Sequence, residues 1–100
     1  RSTYIGNGVV TPNAVVPSLE KPVLLFARFE NGVPLATGHE RATLFFILLM
    51  PAGLVRGRRE LLRSIASLSE SEYVRERLAA ATDPSEVIAT VEEATPVAVG

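Results

Sequence analysis

Nothing in this chain limits its fold more than one uninterrupted apolar run, Thr43-Leu44-Phe45-Phe46-Ile47-Leu48-Leu49-Met50-Pro51. The run must be buried, and it is too short for most helices. Pro51 and Gly53 close it, as they close a strand that enters a turn. It is therefore predicted to be a central β-strand. A buried helix is the alternative, disfavoured by the same shortness and the same stop. The longer apolar stretch from Ala42 to Ala52 falls short of the about 20 residues that a membrane-spanning helix needs. With 100 residues, 47% of them hydrophobic, the chain has material for one small domain with a workable core.

A second strand is predicted at Pro22-Val23-Leu24-Leu25-Phe26-Ala27-Arg28-Phe29-Glu30, which is rich in branched and aromatic residues. Its first half is continuously apolar, which implies burial on both faces. Asn31-Gly32 reads as a turn, and Val33 to Arg41 as a loop holding Pro34, Gly38 and the histidine His39. Pro17 to Lys21 is a polar connector.

The last third is helical. Leu61, Leu62, Ile65, Ala66 and Leu68 recur near the helical period. Ser69 with Glu72 forms a capping-box pattern ahead of Tyr73, Val74, Arg77 and Leu78. Asp83-Pro84-Ser85-Glu86 forms another, with Asp83 as the N-cap and Pro84 in the first helical position. Val87, Ile88 and Val91 supply the apolar side of that helix. Thr95 to Gly100 is expected to be a mobile tail, leaving residues 1–94 as the domain. Strands in one block and helices in the next indicate an α+β fold, a mixed sheet flanked by helices. Leu24, Phe26, Leu44, Phe46, Leu48, Leu62, Ile65 and Leu78 are expected to share one core.

Ten basic residues against eleven acidic ones give a net charge of −1, which argues against nucleic acid as a partner. The chain has no cysteine, so it has neither a disulfide framework nor a thiolate metal site. One histidine without spaced ligand partners does not make a metal site either, and no cofactor is implied. No targeting signal is visible at Arg1, and the chain reads as beginning inside a domain.

The chemistry, if any, belongs to the opening stretch, Gly6-Asn7-Gly8-Val9-Val10-Thr11-Pro12-Asn13-Ala14-Val15-Val16. Two glycines make a turn, Val9 and Val10 begin a strand, and Pro12 interrupts its ladder for want of an N–H. Asn13 then falls just past that stop, where a strand end projects a side chain into a loop. Gly6-Asn7-Gly8 is only a weak match to a phosphate loop and lacks the lysine.

With its flanks, this stretch resembles the enzyme IIA domain of the fructose/mannitol type from the sugar phosphotransferase system, a family that includes the nitrogen-regulatory enzyme IIA. The family writes Ser-Thr-Gly-Ile-Gly-Asn-Gly-Ile-Ala-Ile-Pro-His-Ala-Arg where this chain has Ser2-Thr3-Tyr4-Ile5-Gly6-Asn7-Gly8-Val9-Val10-Thr11-Pro12-Asn13-Ala14-Val15. The strand ending in Pro51-Ala52 and the closing helices fit the same pattern. The resemblance covers Ser2 to about Glu93 and implies a sheet flanked by helices. It also implies a strand and two helices ahead of the Ser-Thr motif, which this chain lacks, leaving core surface to be exposed or paired with another segment.

In the family a histidine is the nucleophile and phosphate carrier, since a neutral imidazole nitrogen attacks near pH 7. Here that position falls on Asn13. A second family histidine, which helps to hold the phosphoryl oxygens, falls on Arg58 when counted from Pro51-Ala52. A carboxamide neither attacks nor stably carries a phosphoryl group. Two departures at separated positions point to a natural lineage that lost phosphotransfer. The site residues singled out are Asn13, Arg58 and Thr11, as a binding site with no catalytic residue. Arg56, Arg58 and Arg59 form a basic cluster at a helix start, read either as a small-anion site or as a solvated helix start balanced by Glu60. His39 is read as an exposed loop histidine, or else as a substitute phosphate acceptor.

Three functions follow from the resemblance. The first is a non-catalytic, enzyme-IIA-like regulatory or interaction domain, cytoplasmic, with a protein partner or tethered to a membrane transporter as host chain. The second is a phosphotransfer subunit of the sugar phosphotransferase system in which another group carries the phosphate. The third is a structural piece of a larger transport protein.

Overall fold

A computed structural model describes residues 4–36, 38, 40–53 and 55–94, the side chains of residues 55 and 56 excepted. The predicted tail from Thr95, the histidine His39 and the side chain of Arg56 lie outside the described residues.

The elements run β1 (Tyr4–Gly6), β2 (Val9–Val10), β3 (Asn13–Val15), β4 (Val23–Pro34), β5 (Arg41–Met50), α1 (Val55–Ser69), α2 (Glu72–Ala80) and α3 (Pro84–Ala94). The fold is α+β, as expected, and the apolar run is its central strand. β5 pairs antiparallel with β4 on one side and parallel with both β2 and β3 on the other, while β1 pairs antiparallel with β2. Asn7 and Gly8 join β1 to β2 with φ of 56° and 77°, the left-handed pair that a tight hairpin turn requires.

β5 alternates strictly. Ala42, Leu44, Phe46, Leu48 and Met50 are buried, and the residues between them are half-buried. The buried row lies beneath the helices. Val9, Leu44 and Phe46 meet Ile65 and Leu68 of α1 and Val74 and Leu78 of α2, with Phe26, Val87, Val91 and Ala94 packed against them. The Phe26 and Phe46 rings are 5.3 Å apart at a tilt of 56°.

Two members of the expected core lie elsewhere. Leu24 is 42% exposed, and Leu62 is half-buried outside the central cluster. Leu48 is buried on the same face of β5, beyond that cluster. The first half of β4 is not buried on both faces either. Among the described strands β4 pairs only with β5, so it is an edge, and Leu24 and Leu25 are both exposed.

Asn31-Gly32 is not the predicted turn. β4 continues through it to Pro34, and the register against β5 shifts between Arg28 and Val33, a bulge. Gly32 takes φ 76°, and the Arg41 guanidinium donates from Nε to the Asn31 carbonyl (2.9 Å) and from Nη2 to the Gly32 carbonyl (3.2 Å). The chain reverses later, where the Leu35 N–H donates to the Glu40 carbonyl at 3.1 Å.

The helix caps correct one expectation and bear out another. α2 is capped by Ser71, whose hydroxyl accepts from the Val74 N–H at 3.2 Å, and not by Ser69. Ser69 ends α1, buried, its Oγ without a partner among the described residues. Asp83 does cap α3, accepting from the Glu86 N–H at 3.1 Å, while the Glu86 carboxylate takes the Thr82 N–H at 2.9 Å.

Candidate functional site

β2 and β3 are nearly one strand. Val9 lies opposite Leu44 and Asn13 opposite Leu48, the same register on both sides of Thr11-Pro12. The Pro12 carbonyl still accepts from the Leu48 N–H at 2.8 Å. What the ring removes is one donor, so a single rung is lost and the strand resumes. Asn13 is therefore not in a loop past the strand end. It opens β3, half-buried.

Pairing fixes which way this residue faces. Side chains directly opposite one another in a sheet share a face. Asn13 lies on the face of Leu48, the one that the helices cover, and Thr11, two residues earlier, lies on the same face and is only 5% exposed. The Asn13 side-chain amide donates to the Thr11 carbonyl at 3.3 Å, bridging the proline between them. That bond uses a donor and leaves the Asn13 side-chain carbonyl as an acceptor.

Arg58 arrives by a different route. β5 ends at Met50, residues 51–53 turn, and α1 begins at Val55 and runs back over the same face through Ile65 and Leu68. The Met50 carbonyl accepts from the Val16 N–H at 2.8 Å, tying the end of β3 to the end of β5. Asn13 and the start of α1 thus lie at one end of the sheet and on one side of it. Arg58 is half-buried there and Arg59 exposed, and the first turn of α1 holds no acidic residue. No hydrogen bond or ion pair joins Arg58 to Asn13 among the described residues.

Arg28 had no assigned role in the sequence, yet it holds the far end of the helical layer. Its Nη1 donates to the carbonyls of Leu78 and Ala81, at 3.0 and 2.5 Å, closing the C-terminus of α2. Only its placement opposite Leu44, on the helix-covered face, explains this, and register is not visible in one sequence. Beside it a groove of about 520 Å³ opens between β4 and α3, lined by Leu24, Phe26, Asp83, Val87 and Ile88. It lies across β5 from Asn13, since Leu24 and Asn13 flank Leu48 from opposite sides.

Among the described residues two ionisable groups are perturbed, Asp83 at the start of α3 and Arg77 on α2. The Ser85 hydroxyl and the Glu86 N–H hold the Asp83 carboxyl below its ordinary value, and hydrogen bonding to Glu93 raises Arg77. Neither belongs to the Asn13 end. Among the described residues no cluster of carboxylates and histidines could hold a metal ion.

Comparison with known proteins converges on one family. The sequence profile described as "Phosphoenolpyruvate-dependent sugar phosphotransferase system, EIIA 2" matches residues 1–94. A PTS system fructose-specific EIIA component from Haloferax volcanii is 35% identical over 81 residues, which is 77% of this chain and 51% of that protein. A nitrogen regulatory protein from Bradyrhizobium diazoefficiens is 31% identical over 83 residues, 82% of this chain and 54% of that protein. The crystal structure of the nitrogen regulatory protein IIA-Ntr from Neisseria meningitidis superposes with a TM-score of 0.80 at 26% identity, over 90% of this chain and 62% of that one. The chain spans about half the length of the curated relatives that it matches.

Proposed function

This chain belongs to the EIIA type 2 family of the phosphoenolpyruvate-dependent sugar phosphotransferase system, and from that premise we propose that it is a non-catalytic member: a regulatory or interaction domain within a larger protein, such as a transporter or a regulator. The family supports a phosphotransferase-system or regulatory role. The observation that carries the finer reading is Asn13. In the resemblance set out above, the phosphate-accepting histidine falls on this residue.

A carboxamide nitrogen is not a nucleophile at neutral pH, because its lone pair is delocalised into the carbonyl. Asn13 also spends its amide on the Thr11 carbonyl. Arg58 replaces a titratable group with a permanent cation. In this reading Asn13, Thr11 and Arg58 form a pocket that binds a small anion weakly, without transferring it. The protein acts through a protein partner or its host chain. Among the described residues no helix is long and apolar enough to cross a membrane. A cytoplasmic domain tethered to a transporter is part of the proposal.

The fructose-specific relative favours a second reading, that of a working phosphotransfer subunit. Anion titration followed by chemical-shift change tests the pocket. Phosphate or sulfate should shift the resonances of Asn13 and Arg58 at low salt, and Arg58→Ala should abolish the shift. Because the guanidinium stays charged, binding should persist as pH rises from about 6 to about 8. A shift that survives Arg58→Ala, or none at all, would remove the anion site. An acid-labile phosphate acquired by the wild-type chain from phosphorylated HPr would establish the second reading instead.

A further inference from the structure

The one hydrogen bond that Asn13 makes fixes the sense of its side chain. Nδ2 donates to the Thr11 carbonyl at 3.3 Å. A carbonyl only accepts, so the reverse placement of nitrogen and oxygen would set two acceptors against each other. The two atoms diverge from Cγ, which turns Oδ1 away from Thr11. Nothing among the described residues donates to that oxygen. Asn13 is half-buried on the helix-covered face, at the end where α1 starts, so its side chain stays within reach of solvent there.

Arg58 and Asn13 therefore ask opposite things of an anion. The half-buried Arg58 is a permanent cation whose N–H groups need acceptor oxygens. Asn13 Oδ1 presents lone pairs and needs a hydrogen. A bare oxyanion satisfies the first group and is repelled by the second. Sulfate near neutral pH is such an anion, because it carries no O–H. Inorganic phosphate has the same tetrahedral shape and keeps an O–H in both of its ionisation states at that pH. A phosphate monoester loses its last O–H above about pH 6.

We propose that the Asn13 end selects inorganic phosphate, a tetrahedral oxyanion that keeps an O–H, over sulfate and over ionised phosphate esters. The phosphate O–H donates to Asn13 Oδ1, and the remaining oxygens accept from Arg58. This selectivity rests on the reading of Asn13, Thr11 and Arg58 as an anion pocket. Charge alone does not tell phosphate from sulfate, and the hydrogen bond to Asn13 does. No bond to phosphorus forms or breaks.

The test titrates the 100-residue chain with inorganic phosphate, sulfate and methyl phosphate at matched ionic strength, read by chemical-shift change. At about pH 8 all three are chiefly dianions, and only inorganic phosphate retains an O–H. Phosphate should bind at least about tenfold more tightly than either of the others, as one hydrogen bond to a charged partner allows. In Asn13→Ala the three should bind alike, because Arg58 does not distinguish them. The wild-type comparison decides the matter even if that variant does not fold. Equal affinity for phosphate and sulfate would overturn the selectivity and leave the anion pocket standing. Methyl phosphate binding as tightly as inorganic phosphate, or a preference that persists in Asn13→Ala, would overturn the role given to Asn13 Oδ1. Failure of all three to bind would remove the pocket itself, and the selectivity with it.

Discussion

Ser69 and Ser71 sit two residues apart, and the same substitution should act on them in opposite directions. Ser71→Ala removes the cap bond to Val74 and should lower stability by about 1 kcal/mol. Ser69→Ala removes a buried hydroxyl with no partner among the described residues, so it should be neutral or stabilising. Thermal melts of the two variants check this, and a larger loss at Ser69 would return the cap to the predicted position. The sequence offered two serines ahead of one helix, and the Ser69–Glu72 spacing favoured the wrong one because a motif does not record where the preceding helix ends. Asp83 was legible, since Pro84 leaves only one residue to act as its cap. Its carboxyl lies below the ordinary value of 3.8 in the folded chain, through Ser85 and Glu86. The stabilisation is therefore complete above that value and disappears as pH falls through the lowered one. The melting-temperature gap between wild type and Asp83→Ala should narrow on acidification through this window and stay constant above it.

At the scale of elements, β5 was plain because apolar content alone marks a central strand. Its neighbour was misread in three ways with one cause. Continuous hydrophobicity in β4 suggested burial on both faces, Asn31-Gly32 suggested a turn, and Leu24 was placed in the core. All three depend on where β4 sits in the sheet, and a single sequence does not state that β4 is an edge. Two variants separate these points. Phe46→Ala should cost about 3–5 kcal/mol, because its ring is 1% exposed at the centre of the core. Gly32→Ala should cost about 1–2 kcal/mol for the left-handed conformation alone. The added Cβ would also sit 2.9 Å from Arg41 Cβ, so the bulge would have to shift. Denaturant melts measure both. An unaffected Gly32→Ala variant would mean that Asn31-Gly32 is a free turn after all.

For the whole molecule, family and fold were readable because the turn, strand and proline of the opening stretch are spaced by backbone geometry, which does not depend on the side chain that follows the proline. The site was readable only in part. Asn13 and Arg58 could be placed in a pattern, but not the fact that Asn13 sits within the ladder and bonds back to Thr11. That core surface would be left exposed or paired was implied by the resemblance, but the two rows of β5 could not be told apart, because alternation is hidden when both are apolar. The account rests on a scaffold that has kept its geometry and lost its transfer chemistry. The most direct measurement incubates phosphorylated HPr with the wild-type chain and with the Asn13→His, Arg58→His double variant, and weighs each intact by mass spectrometry. The wild type should gain nothing, and the double variant should gain one acid-labile phosphate. Stoichiometric phosphate on the wild type would contradict the loss of chemistry, and a folded double variant that stays unmodified would contradict the retained geometry.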